Sequence, residues 1–173
     1  MLCGKILDEP FLTTPEETIS LFAELSLVLA GFAGVVSAFS GRERQFRPTE
    51  LIRLTHVLSC SATILAGCLG YFTCSAGGYS VAHSVATAGV ASCAFAAVLL
   101  PPLTQRAWRS GRDPDSTSEP WTLFAIPAVN FCVIFLFGFA AVSETGSFPL
   151  IGGFSIQLLV GLWLFARLLT RPN

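Results

Sequence analysis

The sequence predicts an all-α integral membrane protein in which residues 1–173 form one bundle of five transmembrane helices. The chain is 53% hydrophobic and 12% charged, whereas a soluble domain carries about 25% charged residues. Its apolar residues fall into blocks of about 20 residues, the length that a helix needs to cross the hydrocarbon core of a bilayer. Because a backbone in lipid must satisfy its own hydrogen bonds, these blocks are predicted to be helices.

The first block follows the segment TTPEE, in which Thr14 and Glu17 predict a capping box and Pro15 suits the first helical position. Pro101 and Pro102 are predicted to end the third helix, because proline lacks a backbone donor. The third and fourth blocks contain no Asp, Glu, Lys or Arg, which disfavours soluble amphipathic helices. The predicted spans are residues 19–39, 51–71, 79–100, 121–141 and 149–169.

Basic residues predict the orientation of the chain. Lys and Arg concentrate in cytoplasmic loops, and of the ten basic residues only Lys5 lies on the opposite side in a five-span arrangement. Loops 40–50 and 101–120 are therefore predicted to be cytoplasmic, with the amino terminus outside and the carboxyl terminus in the cytoplasm. The second of these loops is either an ordinary positive-inside loop or a contact for lipid headgroups or a partner, through Arg106, Trp108, Arg109 and Arg112.

Small and polar residues predict which helix faces meet protein, because small residues let membrane helices approach closely. The third span is rich in Ala, Gly and Ser and is predicted to be central, whereas the Phe-rich fourth span is predicted to lie at the edge. In the fifth span Gly153, Gln157 and Gly161 share a face, and Gln157 is expected to make an interhelical hydrogen bond. The second span should turn Leu54, Leu58, Leu65 and Leu69 to lipid and place inward His56, Ser59, Cys60, Thr63 and Gly67.

The candidate site is an intramembrane pair, Glu24 with His83. Both lie a few residues inside the outer ends of their spans, and the helical wheel is taken to turn Glu24 toward the bundle. Ionisable groups within a membrane are functional candidates, although a purely structural hydrogen bond is the alternative. Gln157 and Asn130 near mid-depth and His56 toward the inside complete a sparse polar ladder across the five spans.

The sequence favours no enzyme, cofactor or metal. No GxSxG, HExxH, Walker or dinucleotide-binding motif is present. The two span histidines are predicted to lie about 15 Å apart in depth, too far for one haem iron. Cys68 and Cys74 could bridge in an oxidising exterior, but free thiols are favoured. The net charge of −1 gives no basic excess for a nucleic-acid partner.

The expected function is that of a non-enzymatic accessory, assembly or scaffold subunit of a membrane complex, because the loops are short and ionisable groups in the spans are few. The alternative is a small oligomeric transporter or channel that uses Glu24 and His83. Expected partners are membrane lipids and either further copies of the chain or other membrane subunits. The length, the five spans and the GFAGVV run of the first helix resemble small bacterial integral membrane proteins, which implies the bacterial inner membrane.

Overall fold

The protein is all-helical in a computed structural model that describes residues 14–43, 48–111, 122–142 and 147–169. Within these ranges lie five helices, at or near the predicted positions. They are α1 (Pro15–Glu43), α2 (Pro48–Ala76), α3 (Val81–Gly111), α4 (Thr122–Val142) and α5 (Phe148–Leu169). Four stretches are long and apolar enough to cross a membrane: Pro15–Ala38, Glu50–Ala76, Val81–Arg106 and Phe148–Leu169. The described side chains of α4 form a shorter apolar stretch, Ala128–Val142.

Local sequence signals define the helix ends. The predicted capping box of α1 is confirmed: the Thr14 amide donates to Glu17 Oε2 at 3.0 Å, and the Glu17 amide donates to Thr14 Oγ1 at 3.3 Å. At the end of α2, the amides of Tyr79 and Gly78 donate to the carbonyls of Cys74 and Ser75. This is a Schellman motif, and Gly78 takes the left-handed conformation it requires, with φ of 76°.

The prediction that Pro101 and Pro102 end the third helix is wrong, because α3 continues through both residues to Gly111. Both prolines are exposed on the outer side of the bundle. Carbonyls on the outer side of a helix tilt away from the axis, which leaves room for a proline ring. The predicted loop 101–120 is shortened accordingly, and residues 112–121 lie outside the described part of the chain.

Helices α2, α3, α4 and α5 form a ring of four in which each packs against the next and α5 returns to α2. Helix α1 lies outside the ring and contacts α2 and α5. The predicted central position of the third span is corrected: the most buried candidate span belongs to α2, half of whose apolar window is enclosed, against 39% for α3. The outer face of α3 exposes Val90, Phe95 and Val98.

Polar side chains lie inside this bundle and large apolar side chains lie outside it. The buried polar residues include His56, Thr63, Asn130 and Gln157, together with five serines. The outer surface carries many exposed Leu, Val and Phe residues, such as Phe131, which is 73% exposed. Exposed apolar surface of this extent is unusual for a soluble monomer and suits contact with lipid. The four long apolar helices therefore indicate insertion into a membrane.

Most of the face predictions for α2 and α4 are confirmed. The predicted inward stripe of α2 is buried, and Leu58 and Leu69 are exposed. Leu65 is half-buried. Leu54 contradicts the prediction, because it is 4% exposed and belongs to a small apolar cluster with Leu29, Val57 and Leu164. On α4, Phe131, Phe135 and Phe139 face outward as expected for an edge helix, while Phe137 is fully buried against Phe154.

Glycines allow the helices of the ring to approach closely. A Cβ atom at Gly153 would collide with the ring of Phe137, and one at Gly67 would collide with Ser92 and Phe154. At Gly89 the obstacle is backbone, because a Cβ would lie 2.9 Å from both Phe137 O and Ala141 N. The α3–α4 distance therefore depends on the absence of a side chain at this position.

We predict that Gly89→Ala destabilises the protein and that Gly152→Ala does not. At Gly89 the added methyl group must push α3 away from the α4 backbone, at a cost of about 1–3 kcal/mol. A Cβ at Gly152 meets nothing within 4 Å, so this control gains the better helix propensity of alanine, up to about 1 kcal/mol. Unfolding of both variants in mixed detergent micelles measures the difference. Equal stabilities would contradict the close α3–α4 packing.

Candidate functional site

Glu24 lies on the outer face of α1. The buried face of this helix consists of Ile19, Ser26, Leu29 and Ala33, and Glu24 is exposed. The expectation that Glu24 faces the bundle is therefore wrong. The side of α1 that packs against α2 and α5 is instead the apolar side, which carries Phe22 and Leu29. The carboxylate points toward the surroundings of the bundle.

Ring contacts give the depth of Glu24. Phe22 packs on Phe154 at a centroid distance of 5.7 Å, and Phe32 packs on Phe165 at 6.5 Å. Helices α1 and α5 therefore run in the same direction, with Glu24 level with Ile156. That level is about 12 Å along α5 from Phe148, at 1.5 Å per residue. A carboxylate there is well inside the apolar length of the bundle.

The structure does not bring His83 to Glu24. Helices α1 and α3 are not in contact within the described ranges. His83 is exposed and stacks on Tyr79 at a centroid distance of 5.6 Å. One turn further along α3, Thr87 Oγ1 lies 3.3 Å from the thiol of Cys74, near the end of α2. His83 is therefore close to the end of the bundle, and the proposed Glu24–His83 pair is corrected.

The outer face of α1 contains a seam, defined here as Ser20, Glu24, Leu27, Gly31, Gly34 and Ala38. These residues are spaced alternately four and three apart, which is the pattern of a helix that packs along one line against another helix. All of them except the half-buried Ser20 are exposed. A Cβ at Gly31 or Gly34 would meet nothing within 4 Å, so these glycines serve no close contact inside the described bundle.

A buried polar cluster lies between α2, α3 and α4. Asn130 Nδ2 donates to Thr104 Oγ1 at 3.0 Å, and the Asn130 side chain lies beside the imidazole of His56. His56 and Asn130 are 3% and 7% exposed. Helices α2 and α4 do not pack directly on each other, so these two side chains meet in the interior of the ring. Both residues belong to the polar ladder predicted from the sequence, but they were predicted to lie at different depths.

Beside this cluster, α3 and α4 form a surface groove with a volume of about 410 Å³. Asn130 and Thr104 form its polar base, and Gln105 lies at its margin. The remaining lining is apolar: Leu100, Pro101, Phe131 and Ile134. Thr104 and Gln105 were not predicted from the sequence, although Gln105 directly precedes Arg106 and lies about one turn before Arg109, at the depth where polar groups begin.

Gln157 is buried between the helices but its expected hydrogen bond is not formed. Its side chain is 2% exposed, and neither Oε1 nor Nε2 has a partner in the described part of the structure. Gly161, on the same face, lies against Leu29 and Cys60, which confirms that this face is closely packed. His56 Nε2 and Ser61 Oγ are likewise buried without a partner.

The remaining candidates are dispersed. Arg106 and Arg109 are exposed at the end of α3, whereas Arg112 and the side chain of Trp108 lie outside what the structure describes. Cys68 and Cys74 are free thiols that contact different helices, at Ile19 O and Thr87 Oγ1. No group of three His, Cys, Asp or Glu residues that could hold a metal occurs among the described residues.

Comparisons with known protein families, with curated proteins and with solved structures found no match. The function must therefore be argued from the arrangement of side chains.

We predict that Asn130→Leu destabilises the bundle. The substitution removes the hydrogen bond that Asn130 donates to Thr104 and places an apolar side chain beside the buried His56, and buried hydrogen bonds between membrane helices contribute on the order of 0.6–2 kcal/mol each. Thr104→Val alone should cost less, because it leaves the Asn130 amide beside His56. A double-mutant cycle of these two substitutions, followed by unfolding in detergent, should show a coupling energy. Strict additivity would contradict the Asn130–Thr104 bond.

Gln157→Met should have the opposite effect and stabilise the protein. Methionine has a similar length, and the substitution removes a buried amide with no partner, whose desolvation costs about 1–3 kcal/mol. The same unfolding assay measures the change. A loss of stability on this substitution would show that Gln157 is hydrogen-bonded in the native membrane protein.

Proposed function

We propose that this protein is a five-span membrane protein of the bacterial inner membrane, with its amino terminus outside and its carboxyl terminus in the cytoplasm. Its proposed role is that of a non-enzymatic accessory, assembly or scaffold subunit. The single observation that carries the role is the exposed seam of α1, which contains Glu24. The alternating directions of the helices and the distribution of basic residues in the sequence support the topology.

The seam suits a contact with another membrane helix. A carboxylate in the apolar layer costs several kcal/mol unless it is protonated, reaches the interface or finds a hydrogen-bonding partner. Glycine within a helix costs about 1 kcal/mol relative to alanine, and in membrane proteins that cost is offset where a second helix approaches closely. Glu24, Gly31 and Gly34 have no such use within the described chain, and a docked helix would supply one for all three.

Transport through this chain has less support. A polar pathway needs groups that face one continuous space from side to side. Instead, Glu24 and His83 face outward on separate helices, His56 and Asn130 lie side by side inside the ring, and Gln157 is enclosed beside Gly161. The polar residues that the sequence predicted to form one ladder therefore face different spaces and do not line one pathway, which favours the accessory role.

The test uses variants of the seam with a matched control. Glu24→Leu and Gly31→Ile should reduce recovery of a native membrane complex about tenfold, because interhelical polar and close contacts are worth about 1–2 kcal/mol. Glu24→Gln should retain it, since an amide can replace a protonated carboxyl group as a hydrogen-bonding partner. The control is Gly152→Ile, at a glycine on α5 whose added Cβ also meets open space.

The measurement is purification from native membranes in mild detergent, followed by native mass spectrometry. Equal amounts of the same complex in wild type, Glu24→Leu, Gly31→Ile and the control would exclude the seam as the docking face. Recovery of the wild-type protein as a bare monomer would exclude the accessory role itself.

A further inference from the structure

We propose that the groove between α3 and α4 binds one anionic phospholipid. In this arrangement an acyl chain lies along the apolar part of the groove, the ester groups contact Thr104 and Gln105, and the phosphate lies on Arg109. This site is separate from the α1 seam, and it requires membrane insertion but not the accessory role.

The apolar part of the groove fits a hydrocarbon chain. Leu100, Pro101, Phe131 and Ile134 line it, and its volume is about 410 Å³, within the usual range of about 300–1,000 Å³ for ligand sites. Pro101 and Phe131 are exposed, so the groove opens toward the lipid phase. A chain could therefore enter sideways from the bilayer.

Hydrogen-bond donors, which ester carbonyl oxygens require, are available at the polar base. Thr104 Oγ1 accepts from Asn130, and this leaves its own O–H to donate. Other hydroxyls, such as those of Thr63 and Thr87, donate to the carbonyl four residues back. Thr104 makes no such bond in the part of the chain that the structure describes. The exposed amide of Gln105 offers a second donor.

The base of the groove is held in place from behind. Asn130 donates to Thr104 and lies beside His56, and both His56 and Asn130 are buried. The position of the Thr104 hydroxyl is therefore set by a hydrogen bond from a buried side chain of α4. A donor fixed in this way loses little further freedom when a ligand binds.

Charge extends the groove toward the headgroup region. Arg109 lies four residues after Gln105, so on a helix it is about 6 Å further along and rotated by only about 40°. Arg106, which directly follows Gln105, is also exposed, but it is rotated by about 100° from Gln105. Neither arginine has an ion-pair partner within the described ranges. Of these two arginines, Arg109 lies nearer to the side of α3 that carries Gln105, and a phosphate diester is the anion expected at this depth.

The arginine pair provides a matched test. Purified protein in detergent is titrated with phosphatidylglycerol or with phosphatidylcholine of the same acyl chains, and bound lipid is counted by native mass spectrometry. The wild type should bind one phosphatidylglycerol per chain in preference to phosphatidylcholine. Arg109→Gln should weaken phosphatidylglycerol binding about fivefold, the usual contribution of one basic residue at an anionic membrane surface, whereas Arg106→Gln should change it less than about twofold.

Gln105→Leu should weaken both lipids alike, because both present the same ester groups. All three substituted residues are exposed, so the variants should melt at the wild-type temperature in lipid-free detergent. Inorganic phosphate at the same concentration should not displace the lipid. Equal binding of the two lipids by the wild type, equal losses in Arg106→Gln and Arg109→Gln, or displacement by inorganic phosphate would each overturn the proposal.

Discussion

Close approach of helices is the constraint on which the rest of this structure depends. In a lipid environment apolar side chains gain nothing from leaving the solvent, so association must come from packing and from interhelical hydrogen bonds. The ring of α2 to α5 meets this requirement with small residues at its contacts. Ser92 of α3 donates to Thr63 O of α2 at 3.4 Å, and Gly89 sits against the backbone of α4. These short distances in turn enclose the polar groups of α2 and α4 tightly enough for His56 to reach Asn130.

The composition and the apolar blocks were sufficient to predict the helical class and the approximate position of every helix, because the cost of exposing backbone to lipid dictates both. Local signals predicted the start of α1 at its capping box, but not the end of α2 in the Schellman motif at Gly78 or the continuation of α3 through Pro101 and Pro102. Nor did the composition and the apolar blocks predict which face of α1 packs. A helical wheel groups residues by angle, but only the neighbouring helix decides which group is covered, and α5 presents Phe154 and Phe165 to the apolar group.

The candidate site was harder to predict than the fold because its members are related through neighbours rather than through the chain. Glu24 and His83 share a position relative to the ends of their blocks, yet the packing offset between helices places them at different levels. His56 and Asn130 lie on helices that do not touch, so no spacing in the sequence indicates that their side chains meet. Gln157 shows the converse: the glycines around it predicted its burial correctly, while its partner could not be predicted, and none is present among the described residues.

Contact between α1 and α5 has a consequence for the order in which the bundle assembles. Helix α5 packs on α2, α4 and α1. It therefore closes the ring and also covers the apolar face of α1. Because the helices are synthesised in order, α1 contacts only α2 until α5 has been made. Until α5 is in place, Phe22 and Phe32 lack their ring partners Phe154 and Phe165. Docking of α5 therefore decides which side of α1 stays available to the membrane.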